Sequence, residues 1–102
     1  MLFRSTEVSL AALRFDTAVI GCCGLTAADG LTAYDLADAA VKRAAIASSR
    51  RVIAVADGSK LTGSALALVA PATSLHCVVT DQDAPEDAVR ELIAGGVTVR
   101  RA

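Results

Sequence analysis

Four short apolar runs, each bounded by glycine or polar residues, divide the chain. They occupy positions 17–21 (TAVIG), 52–56 (VIAVA), 77–80 (CVVT) and 97–100 (VTVR). The second and third runs are apolar without a break, which predicts strands covered on both faces, as in a parallel sheet. The fourth run alternates between apolar and polar residues, so we expect it at an edge of that sheet.

Helical spacing separates the first two runs. Over 34–48 a set of small apolar residues recurs on one helical face: Ala37, Ala40, Val41, Ala44 and Ala47. Thr32, followed three residues later by Asp35, is typical of a capping box at the start of a helix. This pattern predicts a helix between the first two strands.

A second helix is predicted over 85–94, between the third and fourth strands. Pro85 suits the first turn, two acidic residues follow it, and Gly95 ends the pattern. Its apolar stripe is Val89, Leu92 and Ile93. Positions 61–75 fit either an extra strand or a short helix, because ALALVA is apolar and a proline interrupts it. Positions 5–14 could form an opening helix.

Strand and helix patterns that alternate in this way predict an α/β fold, with a mostly parallel sheet and flanking helices, in a single domain over 1–102. Ligands of such sheets bind beyond the carboxyl ends of the strands. Gly21 to Gly24, Asp57 to Lys60, and Asp81 each follow one of the first three runs. We therefore expect these three loops to gather at one edge.

The first of these loops, GCCGLTAADGLTAYD, contains Gly21, Gly24 and Gly30 and leads into the predicted helix. Backbone N–H groups at a helix start form a natural anion site, and glycine permits a close approach of the backbone. The spacing matches neither a Walker loop nor the dinucleotide fingerprint. The alternative is a glycine-rich connection needed only for a tight turn.

Side chains of the second and third loops have chemistry that suits a sugar phosphate. Lys60 could place a positive charge on a phosphate, and Asp57 could accept hydrogen bonds from hydroxyls. Each also has a structural alternative: Lys60 as a solvated lysine, Asp57 as the holder of its own turn, and Asp81 as a cap of the next turn. His76, at the start of the third run, is expected to be structural.

The composition, the net charge and the lengths of the apolar runs argue against several classes of function. The chain has 102 residues and a net charge of −1, which gives no basic surface for nucleic acid. No apolar run is long enough to span a membrane, and the start has no signal-peptide core. Cys22, Cys23 and Cys77 fit neither a disulfide framework nor a zinc site, and each is expected to be a small hydrophobic residue in a reducing cytoplasm. No cofactor, metal or catalytic residue is expected.

The motifs together resemble the C-terminal sensor domain of the DeoR family of bacterial transcriptional regulators, over about 15–99. That family has an Asp-x-Ala-x-x-Gly strand, glycine–leucine loops, an Ala-x-Val-Lys-Arg helix, an Asp-x-Ser-Lys strand end and a Thr-Asp strand end. The matching residues here are Asp16, Ala18, Gly21, Gly24, Leu25, Gly30, Leu31, Thr32, Ala40, Val41, Lys42, Arg43, Asp57, Ser59, Lys60, Thr80 and Asp81.

The resemblance implies a Rossmann-like sensor domain related to ribose-5-phosphate isomerase, which binds a phosphorylated sugar effector and thereby releases repression of sugar metabolism. By matched position, the implied ligand-binding residues are Gly21, Gly24, Gly30, Thr32, Asp57 and Lys60. The family usually has serine or threonine where this chain has Gly58, and often an aromatic residue at Leu61.

The resemblance also implies that the chain is a fragment. The family's winged helix-turn-helix and the first half of the sensor domain have no counterpart, so we expect DNA contact only through an absent segment. A half-domain would expose a sheet edge and an apolar face, which favours a homo-oligomer. Two alternatives stay open: an isomerase- or deaminase-like enzyme of the same fold, and an interaction module without ligand binding.

Overall fold

The computed structural model describes residues 9–10 and 12–102 as two sheets with two helices. The strands are β1 (Phe15–Gly21), β2 (Gly24–Thr26), β3 (Gly30–Ala33), β4 (Ser49–Val55), β5 (Ala67–Ala70), β6 (Cys77–Thr80) and β7 (Thr98–Arg101). The helices are α1 (Leu36–Ala47) and α2 (Glu86–Ala94), with short 3₁₀ turns at Gly58–Leu61 and Ala72–Ser74. The opening helix predicted over 5–14 falls mostly outside the described residues.

The larger sheet has four parallel strands in the order β1-β4-β6-β7. The register pairs Val19 with Ile53, and Ile53 with Cys77. All four predicted strands are present, and β7 lies at an edge as its alternating pattern indicates. The α/β fold with a parallel sheet is confirmed.

The two faces of this sheet differ in burial. Val52, Ala54 and Val78 point to the face that forms the core, whereas Val19 and Val55 point to the other face. Val19 is 66% exposed. The prediction that both faces are covered is therefore wrong for the described residues. An unbroken apolar run shows that both faces are apolar, but it cannot show which segment covers each one.

Helix α1 begins later than its pattern suggests. Asp35 is the N-cap, and its Oδ1 accepts the Asp38 N–H at 2.7 Å. The predicted capping box is wrong, because Thr32 lies inside β3. The predicted stripe is also wrong: Ala39 is the buried residue, Ala45 and Ile46 pack on the core, and the five residues named above are half-buried or exposed. Alanine around most of the helix leaves its spacing ambiguous.

Helix α2 follows Pro85 and ends at Gly95, close to its predicted bounds. Val89 and Leu92 are buried, as expected. Ile93 is exposed, so its place in the predicted stripe is wrong. An adjacent pair such as Leu92 and Ile93 is separated by about 100° around a helix, so a narrow contact buries one of the two.

The segment predicted as a glycine-rich loop is a β-hairpin. Strands β2 and β3 pair antiparallel, and β5 adds to β3 to complete a three-stranded sheet. Gly30 opens β3 with a φ of +78°, and a Cβ there would stand 2.4 Å from the Ala70 carbonyl oxygen. Only glycine suits that position. The strand at β5 settles the ambiguity of 61–75. Within the described residues, no helix is long and apolar enough to cross a membrane.

Candidate functional site

The carboxyl ends of β1, β4 and β6 meet at one edge of the parallel sheet. Gly21 pairs with Val55, and Val55 with Val79. Beyond the strands, the Cys22 N–H donates to the Val55 carbonyl at 3.3 Å. The predicted gathering of the three loops is confirmed. The carboxyl edge is the name used below for residues 21–23, 56–60 and 80–82.

Asp57 holds the turn that follows β4. Its Oδ1 accepts the Ser59 N–H at 3.0 Å and also the Ser59 hydroxyl. The Ser59 hydroxyl is the main cause of a lowered pKa for Asp57, and the nearby Lys60 ammonium acts in the same direction. The carboxylate is therefore ionised at neutral pH. It is exposed, so it can also meet a molecule bound at the carboxyl edge.

Asp81 joins the loops after β4 and β6. Its Oδ2 accepts the Gly58 N–H at 3.0 Å, and its Oδ1 accepts the Asp83 N–H at 3.1 Å. A Cβ on Gly58 would lie 2.7 Å from the Ala84 Cα, so glycine is what allows the two loops to approach. The sequence places Asp81 at this edge, with a cap of the next turn as its structural alternative, but it does not predict the contact with Gly58. The family usually has a larger residue at position 58. Glycine at that position in this chain was the feature of the sequence that could have indicated the close approach of the two loops.

Lys60 lies half-buried in the same 3₁₀ turn. Its N–H donates to the Asp57 carbonyl at 3.0 Å, which fixes the backbone of the turn. Within residues 9–10 and 12–102, its ammonium forms no ion pair, whereas Lys42, the other lysine, pairs with Asp38 at 3.0 Å. The carboxyl edge therefore has one positive side chain that remains available to an anion.

A cavity of about 240 Å³ opens between the ends of β4 and β6. Its lining residues are Val55, Ala56, Asp57, Val79, Thr80, Asp81 and Ala102. Asp57 and Asp81 are among the lining residues, although most of the lining surface is apolar. The Thr80 hydroxyl is buried and has no hydrogen-bond partner among the described residues. Carboxylate oxygens accept hydrogen bonds, so the cavity suits hydroxyl groups better than anions.

The structure places Gly21 and Gly24 differently. Gly21 is exposed at the carboxyl edge, and a Cβ there would meet no atom within 4 Å. Gly24 is buried at the start of β2, where a Cβ would stand 2.7 Å from the Gly63 carbonyl oxygen. Gly21 therefore leaves open space beside the strand end, whereas Gly24 allows the hairpin to pack on the loop after the 3₁₀ turn.

Gly30 and Thr32 lie in the small sheet and have packing roles there. The buried Thr32 hydroxyl donates to the Gly24 carbonyl at 3.2 Å and accepts the Ala65 N–H at 2.8 Å. These bonds join β2, β3 and the chain before β5. The six predicted ligand residues are thus divided: Gly21, Asp57 and Lys60 lie at the carboxyl edge, and the other three lie behind it. Their binding role stays a prediction.

Other reactive groups are accounted for by packing. The Nδ1 atom of His76 accepts the Val52 N–H at 3.0 Å, as expected for a structural histidine. Burial raises the pKa of the Cys22 thiol to about 11, against an opposing effect of the Lys42 charge. Among the described residues, no group of three histidine, cysteine, aspartate or glutamate side chains could hold a metal ion.

One family model matches the chain, that of the DeoR C terminal sensor domain, over residues 2–82. Among curated proteins, none matches. The matched region contains β1 to β6, and therefore all three strand ends that form the carboxyl edge. It covers well over half of the sequence and agrees with the Rossmann-like arrangement of the parallel sheet. The chain therefore belongs to the family of DeoR C-terminal sensor domains, the effector-binding portion of DeoR-type regulators.

Proposed function

We propose that the carboxyl edge binds a phosphorylated sugar or a closely related metabolite, and that this binding relieves repression by a DeoR-type repressor of sugar metabolism. The proposal depends on the position and the charge of Lys60. Its ammonium has no ion-pair partner in the described part of the chain, and it stands beside the ionised Asp57 at the edge where parallel sheets bind ligands.

Lys60 is the group best suited to the phosphate. The N–H groups of Gly58 and Ser59 would otherwise attract an anion, but they already donate to Asp81 and Asp57. Within the carboxyl edge, Lys60 is therefore the side chain that can supply positive charge to a phosphate. A hydrogen bond between a charged donor and a charged acceptor contributes about 1.5–3 kcal/mol, which corresponds to roughly 10- to 100-fold in affinity.

Asp57 and Asp81 are suited to the hydroxyl groups of the same molecule. Both line the cavity of about 240 Å³ between β4 and β6. The lowered pKa of Asp57 keeps its carboxylate charged, so it accepts hydrogen bonds at neutral pH. Two acidic acceptors near one lysine favour a ligand with hydroxyls at one end and a phosphate at the other. Inorganic phosphate alone would use only the lysine.

The open space at Gly21 favours a ligand that lies against the backbone. Gly21 is the last residue of β1 and is paired with Val55, which lines the cavity. A Cβ at position 21 would meet no atom within 4 Å, so packing alone does not require glycine there. Close approach of a ligand gives a physical reason for it.

Isothermal titration calorimetry with pentose and hexose phosphates tests the proposal. We expect at least one sugar phosphate to bind, and Lys60→Ala to weaken it about tenfold or more. Arg50→Ala is the matched control. It also removes one positive charge, but Arg50 is exposed at the opposite end of β4. If no sugar phosphate releases heat, the proposal is wrong. If Lys60→Ala and Arg50→Ala both bind as tightly as the wild type, Lys60 is not part of the site.

A further inference from the structure

The loop after β6 is held on two sides. At the carboxyl edge, the Asp81 Oδ2 accepts the Gly58 N–H at 3.0 Å. On the other side stands Arg101, the last residue of β7. Its Nη1 donates to two carbonyls of the loop, that of Gln82 at 3.1 Å and that of Ala84 at 3.0 Å. The loop therefore joins the candidate site to a side chain that lies outside the carboxyl edge.

Arg101 is itself held in place. Its Nη2 donates to the Glu86 Oε1 at 2.8 Å, and its side chain is only 22% exposed. In the parallel sheet Arg101 pairs with Thr80, and the next N–H, that of Ala102, donates to the Thr80 carbonyl at 2.7 Å. A guanidinium is planar and its donors form a rigid fork, so three acceptors fix its orientation. Arg101 is therefore a fixed support for the loop.

Ala84 is the point at which this loop meets the turn after β4. It is buried, and a Cβ on Gly58 would lie 2.7 Å from the Ala84 Cα. Arg101 binds the carbonyl of this same residue. It therefore holds the loop close enough for Asp81 to reach the Gly58 N–H. The bond within the loop is longer, because the Ala84 N–H lies 3.4 Å from the Asp81 carbonyl oxygen.

We infer that Arg101 is a positioning residue for the candidate site, because it fixes the Asp81 carboxylate that would accept hydroxyl groups of the effector. Its effect on ligand affinity rests on the proposed function, whereas its effect on Asp81 does not. Arg101 does not supply charge to the phosphate, since its guanidinium is already bound to two carbonyls and to Glu86. Lys60 and Arg101 therefore have separate roles: Lys60 meets the phosphate, and Arg101 sets the affinity for the sugar.

Hydrogen exchange of the ligand-free chain, followed by NMR, tests how Arg101 holds the loop. In Arg101→Ala the Gly58 N–H should exchange about tenfold faster than in the wild type, because its acceptor becomes mobile. The Cys22 N–H donates to the Val55 carbonyl on the β1 side of the sheet and should keep its rate. Arg100→Ala is the matched control. It removes one positive charge from the same strand, but Arg100 is exposed, so the Gly58 rate should not change.

Two further variants separate positioning from a general loss of structure. Glu86→Gln removes the charge of an exposed partner and leaves both loop carbonyls bound, so the Gly58 N–H should exchange at an intermediate rate. Arg101→Lys keeps the positive charge but lacks the fork, so it should restore slow exchange only in part. Circular dichroism verifies that each variant is folded.

Calorimetry with ribose 5-phosphate and glucose 6-phosphate, together with an NMR titration with inorganic phosphate, tests the effect on the ligand. Arg101→Ala should weaken a sugar phosphate about tenfold, because a charged hydrogen-bond acceptor loses its fixed position. It should leave the weaker binding of inorganic phosphate unchanged. The turn that contains Lys60 is closed by its own backbone bond to Asp57 and does not need Arg101.

An unchanged Gly58 exchange rate in every folded variant of Arg101 overturns the inference, whatever binds at the carboxyl edge. Equal weakening of a sugar phosphate and of inorganic phosphate also overturns it, because Arg101 would then contact the phosphate itself. So does a sugar phosphate that binds as tightly to Arg101→Ala as to the wild type. If neither sugar phosphate binds to the wild type and the Gly58 rate still rises in Arg101→Ala, the proposed function fails and the positioning of Asp81 stands.

Discussion

Replacing Thr32 with valine removes one hydroxyl and changes little else in shape. In the folded chain that hydroxyl donates to the Gly24 carbonyl and accepts the Ala65 N–H. Thr32 is buried, so valine leaves the Gly24 carbonyl and the N–H of the half-buried Ala65 without that partner. An unsatisfied group costs about 1–3 kcal/mol, so the two groups together cost about 3–4 kcal/mol, of which the extra methyl returns roughly 1 kcal/mol. We expect Thr32→Val to lower the free energy of unfolding by about 2–3 kcal/mol.

Urea denaturation followed by circular dichroism measures this change. A chain of this size has an m-value of roughly 1–1.5 kcal/mol per molar urea, so the midpoint should fall by about 1.3–3 M. Thr32→Ser keeps the hydroxyl and loses only a methyl group, so it should cost about 1 kcal/mol. The reasoning is refuted if Thr32→Val lies within about 0.5 kcal/mol of the wild type, or is no more destabilised than Thr32→Ser. If Thr32 instead contacts an effector, Thr32→Val would lower affinity without lowering stability.

Two further changes test the packing of other residues. In a variant whose other two cysteines are serine, Cys22 should react with iodoacetamide at pH 8 about 100-fold more slowly than an ordinary thiol. The reason is that a pKa of about 11 leaves very little thiolate at that pH. A normal reaction rate would contradict the burial of Cys22. Gly30→Ala should lower the free energy of unfolding by about 2 kcal/mol or more, because it combines a positive φ with a Cβ 2.4 Å from the Ala70 oxygen. Gly21→Ala is its control and should unfold at nearly the wild-type midpoint, since its Cβ meets no atom.

The parallel strands could be predicted because buried strands require short continuous runs of apolar residues, and such runs are visible in the sequence. The unbroken apolar residues of β4 and β6 have few alternative conformations compatible with a folded chain, and both strands are present. The hairpin could not be found in the same way. Strands β2 and β3 have only three and four residues, each begins with glycine, and β5 pairs with β3 across a long separation in the sequence. A glycine in a sequence indicates a turn as readily as a close approach between two backbone segments, so the glycines of β2 and β3 did not identify the hairpin.

The face of a helix is hard to predict when alanine dominates it. In α1 alanine occurs on most sides, so several stripes satisfy the helical spacing equally well. Only tertiary contacts decide that Ala39 faces the core. In α2 the apolar Val89 and Leu92 stand among charged residues, so most of the buried face of that helix could be predicted.

Part of the candidate site could be predicted from topology alone. Parallel strands end at the same edge, so the position of Asp57 and Lys60 after β4 was enough to place them there. The link from Asp81 to the Gly58 N–H depends on how two loops bend towards each other, which no local pattern records. The family resemblance implies that Gly24, Gly30 and Thr32 bind the ligand. They lie in a hairpin, which places them behind the carboxyl edge.

The most direct test of effector binding at the carboxyl edge is an amide NMR titration of the nitrogen-labelled chain with the sugar phosphate that binds in calorimetry. We predict that the Gly21, Gly58 and Lys60 signals shift together and saturate at one ligand per chain, while those of Asp16 and Arg50, at the far end of the strands, stay in place. Shifts limited to that far end, or shifts that persist unchanged in Lys60→Ala, would contradict the account.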